Sequence, residues 1–283
     1  MSHVDQFESL FRAATKERFH PIDVKVASVL ALTDLPAEGA GDLYRRLDAF
    51  LPAWDPPPRF TRLDGAERRS VAETLAAVQA TGPDLVVTYR NLYSDSWRWP
   101  YSLGEHLDVL TQVCAMPVLV LPHPGEAQGF GARGGMRAVM ALTDHLTGDD
   151  RLVSWAAHFT PPGGALHLTH IEDQRFLDRA IEVIGKIPAL DTDVAREEMG
   201  RQLLKEPQDF IESVAAVLRE RGAPLTLEPT VVMGRRLSEV RRLVEAHAVD
   251  LLVVNTKDDD QLAMHGLAHP LAVELRQVPM LML

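Results

Sequence analysis

The sequence predicts an α/β protein made of two doubly wound parallel-sheet domains in tandem, the first of them shortened. Three observations carry this. Short unbroken apolar runs, "DLVV" from Asp84, "PVLVLP" from Pro117, "DLLVV" from Asp250 and "PMLML" from Pro279, alternate with helical patterns, and unbroken apolar strands belong to parallel sheets covered on both faces. Two stretches repeat one another: Asp84 and Asp250 each open an apolar run, and a glycine later precedes a proline by thirteen positions, Gly104 to Pro117 and Gly266 to Pro279. "ALTD" ends at Asp34 and again at Asp144, followed each time by a helical pattern and then by Phe-Leu-Pro from Phe50 or Phe-Thr-Pro from Phe159. An internal repeat of this kind sets the architecture before any single element does.

In chain order, Asp5 with Glu8 forms a capping-box variant, and Phe7, Leu10, Phe11 and Ala14 make an apolar stripe, which predicts a helix over 5–18. Residues 24–34 read as a strand and 42–51 as a helix. Pro56, Pro57 and Pro58 force an extended spacer before a weaker strand, "RFTRLDG", from Arg59. A helix with Val71, Leu75 and Val78 on one face leads into the Asp84 strand. Residues 125–135 contain five glycines and break every periodicity, so they are expected to be a flexible joint between domains at 1–124 and 136–283. The second half reads as strand 137–144, helix 149–158, strand "ALHLTHIED", a long helical section, strand "LTLEPTVVM", a helix with Leu237, Val240 and Val244 on one face, strand "DLLVV", a helix and the closing strand "PMLML". Between the "ALTD" aspartate and the "DL" aspartate lie 50 positions in the first half and 106 in the second (34 to 84 and 144 to 250). The difference leaves room for one strand and one or two helices missing from the first half, whose bare face the N-terminal helix is expected to cover.

The 283 residues, 46% apolar and 24% charged, are ordinary globular usage. A formal charge of -11 with no dense Lys/Arg stripe argues against nucleic acid. One cysteine, Cys114, cannot form an internal disulfide and suits a buried thiol in a reducing compartment. The charged N-terminus lacks a signal-peptide core, and no apolar run approaches the ~18 residues of a membrane span. A soluble cytoplasmic protein without a membrane or nucleic-acid partner is expected.

An aspartate closing the first strand, a "DLVV"-type fourth strand and a glycine thirteen residues before "PVLVLP" make each half similar to the universal stress protein family, over nearly the whole chain. The resemblance implies an adenine-nucleotide alpha-hydrolase-like fold and, in members that bind ATP, a G-x-x-G, nine residues, G-(S/T) loop after the fourth strand. Glycines there let backbone N–H groups approach phosphate oxygens. This chain departs from that pattern. The leading glycine positions hold Asn255 and Asp258, Gly266 remains, and Leu267 replaces the hydroxyl, while Asp258, Asp259 and Asp260 would repel phosphate. In the first half the same positions hold Thr88 and Asn91, with Gly104 followed by Glu105. Asp34 and Asp144 match the family's aspartate at the nucleoside end. The expected cofactor is therefore none, and the residual adenine-nucleotide or nucleoside site is Asp144, Asn255 and Gly266, with Asp34 and Gly104 forming a degenerate copy.

Two other features invite a function. Tyr89, Tyr93, Trp97, Trp99 and Tyr101 gather five of the eight Trp and Tyr residues on one loop, either capping the first site or filling the void of the missing elements. Asp144, His145, Asp258, His265 and His269 should lie near one sheet edge, and imidazoles with carboxylates could hold Zn or Mn, although no fixed ligand spacing is present. His167 and His170, three apart on a strand, face opposite sides and cannot share an ion. The expected function is a non-catalytic stress-response or regulatory role. The alternatives are an adenine-nucleotide or nucleoside sensor using the C-terminal domain, and a metal-dependent hydrolase at its His/Asp edge. The closing strands, apolar and otherwise edges, are expected to pair within the chain as a pseudo-dimer. A homodimer and an unidentified protein partner stay open beside it.

Overall fold

The computed structural model describes residues 17–65, 69–98, 102–125, 130, 135–143, 146–187, 189–256 and 267–283, with the side chains of Ser96 and Trp97 left aside. The first half runs β1 (Ser28–Leu32), α1 (Ala37–Phe50), β2 (Arg59–Leu63), α2 (Val71–Thr81), β3 (Leu85–Tyr89), a short 3-10 turn at Asp95–Arg98, α3 (Glu105–Val113) and β4 (Val118–Leu121). The second runs β5 (Ala138–Leu142), α4 (Asp150–Phe159), β6 (Ala165–Asp173), α5 (Gln174–Ile184), α6 (Thr192–Glu220), β7 (Thr226–Gly234), α7 (Arg236–Ala246), β8 (Leu251–Val254), α8 (Ala268–Glu274) and β9 (Met280–Met282). All these strands form one sheet in the order β2-β1-β3-β4-β9-β8-β5-β6-β7. Every neighbouring pair is parallel except β4 and β9, which pair antiparallel about Leu119 and Leu281. The two closing strands therefore meet inside the chain, as the apolar edges required, and each removes the other's edge.

Local chemistry explains where the strands begin. Asp84 Oδ2 accepts the N–H groups of Ala27 and Ser28 at 3.0 and 2.8 Å, and its own N–H donates to the Ser28 carbonyl at 3.0 Å. Asp250 repeats this in the second half, accepting from Arg137 and Ala138 at 2.8 and 3.0 Å and donating to the Ala138 carbonyl at 2.9 Å. A carboxylate that takes two backbone donors ends the ladder there, which is why β1 starts at Ser28 rather than at Val24. Residues 17–27 form no strand, and within them Phe19, His20 and Ile22 bond to the second half instead. Helix α1 begins five residues before the expected Asp42, despite Gly39 and Gly41, because that turn buries Ala40 beside Leu43, Tyr44, Leu47 and Phe50; packing outweighs the roughly 1 kcal/mol cost of a helical glycine.

The second half contains the extra β7 together with α5 and α6, in agreement with the length difference. Pro229 is tolerated in β7 because that strand is a sheet edge, where its missing N–H breaks no second ladder. Of the expected flexible joint, Phe130 is buried, meets Phe50 edge-on at 5.5 Å and gives its carbonyl to the Arg46 guanidinium at 2.8 Å. Phe130 thus fastens the stretch to α1 at that point, while 126–129 and 131–134 lie outside the described residues. The N-terminal helix expected over 5–18 lies, but for its last two positions, outside the described residues. Of the chain that follows it, Phe19, His20 and Ile22 bond to α4 and α6 of the second half before Ala27 joins the first half at Asp84 and Arg59.

Candidate functional site

In each half the strand order turns back on itself, between β1 and β3 and between β5 and β8. The crevice beyond the carboxyl ends of such a strand pair is where open α/β sheets take ligands.

In the first crevice the aspartate is already occupied. The Tyr89 hydroxyl, at the end of β3, donates to Asp34 Oδ1 and accepts the Asp34 N–H at 3.0 Å, with Thr33 Oγ1 at 3.1 Å. Asp34 Oδ2 accepts the Tyr93 N–H at 2.6 Å. Tyr89 is fully buried, and burial first, then the bond to Asp34, raises its phenol well above the ordinary range. Burial likewise raises Tyr93, whose ring leans on the buried His106 at 5.1 Å. His123 stands edge-on to Tyr89 at 5.5 Å, its imidazole depressed chiefly by burial.

The loop between β3 and α3 is tied together where its two ends meet. Asn91 and Tyr93 both adopt positive φ (58° and 59°), and the Asn91 N–H donates to the Leu103 carbonyl at 2.7 Å. Gly104 has φ 93°, and a Cβ there would stand 2.7 Å from the Asn91 Cα. At this position the chain's own backbone comes close, and only glycine fits.

The sheet register also corrects the equivalence of the halves. Val86 and Leu252 hold matching places beside β4 and β9, and the Arg90 and Thr256 N–H groups donate to the matching carbonyls of Leu121 and Leu283. Tyr89, not Thr88, is therefore the counterpart of Asn255, and Asn91 corresponds to position 257 rather than 258. Counting the same number of residues from Asp84 and from Asp250 would have found this. Thr88 is buried inside β3, and its hydroxyl has no partner among the described residues.

In the second crevice the described anchor is Asn255, whose amide donates to Asp149 Oδ2 at 2.5 Å. The other Asp149 oxygen caps α4 by accepting the Leu152 N–H at 2.9 Å. Burial raises the Asp149 carboxyl above the usual carboxylate range, against the pull of the hydrogen bonds from Leu152 and Asn255. Asp144, His145, Asp258, Asp259, Asp260, His265 and Gly266 lie outside the described residues, as do Trp99 and Tyr101 of the aromatic loop. His269 is exposed near the start of α8, and the carboxyl of Asp108 on α3, in the other half, is raised by burial against a smaller opposing effect of His269. Among the described residues no three His, Cys, Asp or Glu side chains converge as metal ligands.

His167 and His170 are both buried on β6 and do not meet. His167 lies against His247 with ring centroids 4.5 Å apart and the rings tilted by 35°, and it is depressed by burial and then by that neighbour; His170 Nε2 lies 3.2 Å from Glu172. Cys114 is a buried thiol. Sequence reasoning missed Arg90, which is buried at the end of β3. Its guanidinium donates to the carbonyls of Ala272 and, at 3.3 Å, Leu275, so a first-half cation caps the last turn of α8 in the second half. A separate groove of about 770 Å³ lies between α6 and the edge strand β7, lined by Ile211, Ala215, Leu218, Leu225, Leu227 and Val231 among others. No described helix is long and apolar enough to cross a membrane.

The sequence matches no protein-family model and no curated protein. Among solved structures it is similar to PA1789, a functionally unknown protein from Pseudomonas aeruginosa PAO1, at 13% identity and TM-score 0.49 over 91% of this chain and 92% of that one. It is also similar to a candidate universal stress protein from Pseudomonas aeruginosa UCBPP-PA14, at 12% identity and TM-score 0.48 over 91% and 93%. The hypothetical protein MJ0577 matches at 16% identity and TM-score 0.36, over 52% of this chain and 95% of that one.

Proposed function

We propose that the chain is a stress-response or regulatory module of the universal stress type, acting through interaction rather than catalysis, with no nucleotide bound in its first crevice. The observation that carries this reading is the occupancy of Asp34. Both its oxygens are taken, by the Tyr89 hydroxyl and the Tyr93 N–H. A ligand would have to displace a buried phenol and leave its hydroxyl without its partners, which costs on the order of 1–3 kcal/mol before any contact is gained. In this reading residues 1–124 and 136–283 are two universal-stress-like domains joined by 125–135 and working in the cytoplasm. The matched Asp84 and Asp250 networks and the antiparallel joint of β4 with β9 support the tandem.

Titration calorimetry with ATP, AMP and adenosine tests the proposal. No heat of binding is expected from ATP. Micromolar ATP affinity would overturn the reading in favour of a nucleotide sensor, with Asp144, Asn255 and Gly266 of the second crevice as its site. Hydrolysis that depends on added zinc or manganese would overturn it in favour of the metal-dependent hydrolase.

A further inference from the structure

The sheet has two edges, and they are not alike. At β2 the edge strand is five residues long and carries Arg59 and Arg62, the short, charged form that resists further pairing. At β7 it is nine residues long, with Glu228 as its one charged residue and Val231, Val232 and Met233 in succession. Period-two alternation fixes which backbone groups of β7 face outward. The Thr226 N–H donates to the Gly164 carbonyl at 2.9 Å, toward β6, so Glu228, Thr230 and Val232 also direct their backbone groups to β6. Leu227, Val231 and Met233 turn N–H and C=O to the open edge, and Pro229 its C=O alone. The same odd-numbered residues point their side chains toward α6: Leu225, Leu227, Pro229 and Val231 line the groove of about 770 Å³ beside Ile211 and Leu218. A strand laid along β7 therefore gains a backbone ladder and sets its own alternate side chains beside this groove.

The sequence of β7 itself meets both demands. It is apolar at Leu227, Pro229, Val231 and Met233, and it is self-complementary in the antiparallel sense. With a two-fold axis at Thr230, Leu227 stands opposite Met233 of the partner subunit and Pro229 opposite Val231 of the partner subunit, apolar pairs throughout on the α6 side. Leu227 and Met233 exchange bonds at each end, and each Val231 N–H donates to a Pro229 carbonyl, which makes about six of the roughly eight bonds that a strand without proline would form there. On the other face Thr230 meets its own copy, a favourable cross-strand pair, and Glu228 meets Val232 of the partner subunit. No carboxylate opposes another, which matters in a chain of net charge -11. An axis at Pro229 would instead set two residues without donors face to face.

We propose that the chain forms a two-fold dimer in which β7 pairs antiparallel with β7 of a second copy, centred on Thr230. Sedimentation of the full chain from micromolar to near-millimolar concentration, together with residue-resolved amide exchange, tests this. The dimer fraction should grow with concentration, and the Leu227, Val231 and Met233 amides should gain about tenfold protection or more with it. Those of Glu228, Thr230 and Val232, already in the β6 ladder, should stay as they are. Val231→Pro removes an outward N–H and leaves the β6 ladder whole, so it should weaken the dimer about tenfold or more. If that variant does not fold, the exchange pattern of the wild type decides alone. A monomer over the whole range overturns the proposal, as does a folded Val231→Pro chain that dimerises as tightly as the wild type. So does a dimer whose Leu227, Val231 and Met233 amides exchange as in the monomer, which would assign the contact to another surface.

Discussion

The Tyr89 hydroxyl sits where three groups of the first crevice meet, and the consequences of removing it can be sized. Tyr89→Phe leaves Asp34 with one donor fewer and the Asp34 N–H without its acceptor, so urea unfolding should show a loss of about 1–3 kcal/mol. The phenols of Tyr89 and Tyr44 are both raised, each by burial first and then by a carboxylate partner, Asp34 or Asp64. A raised folded value gives stability that is present below the unfolded value, near pH 10, and lost as the pH climbs through the folded one. Tyrosinate absorbance should accordingly show these two phenols protonated past about pH 11, ionising only as the chain unfolds; ordinary titration of all four tyrosines would contradict the buried network. His158 and His167 are depressed, in each case by burial first. The sign is then opposite: their contribution is present above about pH 6.5 and is lost as the pH falls toward the folded values. A His158→Gln/His167→Gln variant should show a shallower decline of stability below pH 6.5 than the wild type does. None of these burials was legible residue by residue. The sequence grouped Tyr89 with the aromatic loop, but only the register of β3 beside β1 put its hydroxyl on Asp34.

At the scale of elements, the repeated acidic residue proves to be a device for starting strands. Asp84→Ala and Asp250→Ala should each cost about 2 kcal/mol, because each leaves backbone donors at the head of β1 or β5 without their charged acceptor; matched denaturation midpoints for the pair would show that the halves use the residue alike. Gly104→Ala places a Cβ against the Asn91 backbone at a φ unsuited to alanine. It should destabilise by about 3 kcal/mol or more and loosen the loop between β3 and α3. Element type was read correctly where the apolar pattern was strong, as in β3, β4, β6 and β8. Boundaries failed at β1 and at α1, the first because Asp84 ends the ladder, the second because burial of Ala40 overrode two helix-poor glycines. In the glycine-rich stretch, Phe130 has an aromatic and a cationic partner on α1 that the periodicity could not foretell.

For the whole molecule, the pairing of β4 with β9 changes what the C-terminus means. Apolar residues from both halves form one continuous core, and β9 lies at the centre of the sheet with a ladder on each side. Removing residues 279–283 strips both ladders and should leave insoluble or unfolded protein; a soluble, folded product would refute the pairing. Arg90 and Trp54 add contacts across the halves, the latter stacking on His158 at 5.4 Å, so unfolding followed by fluorescence and by circular dichroism should coincide in one transition. The sequence by itself determined the α/β class, the repeat, the five strands of the second half and the destiny of two apolar edges, since these follow from local pattern and from the need to bury it. Tertiary structure alone decided that the first crevice is filled by the chain's own tyrosines, that Asn255 serves Asp149, and that the N-terminal strap crosses to the other half. The reason is that each of these depends on pairs far apart in the chain, 55 residues for Asp34 with Tyr89, 106 for Asp149 with Asn255 and 194 for Phe19 with Ser213, whose meeting no local periodicity encodes.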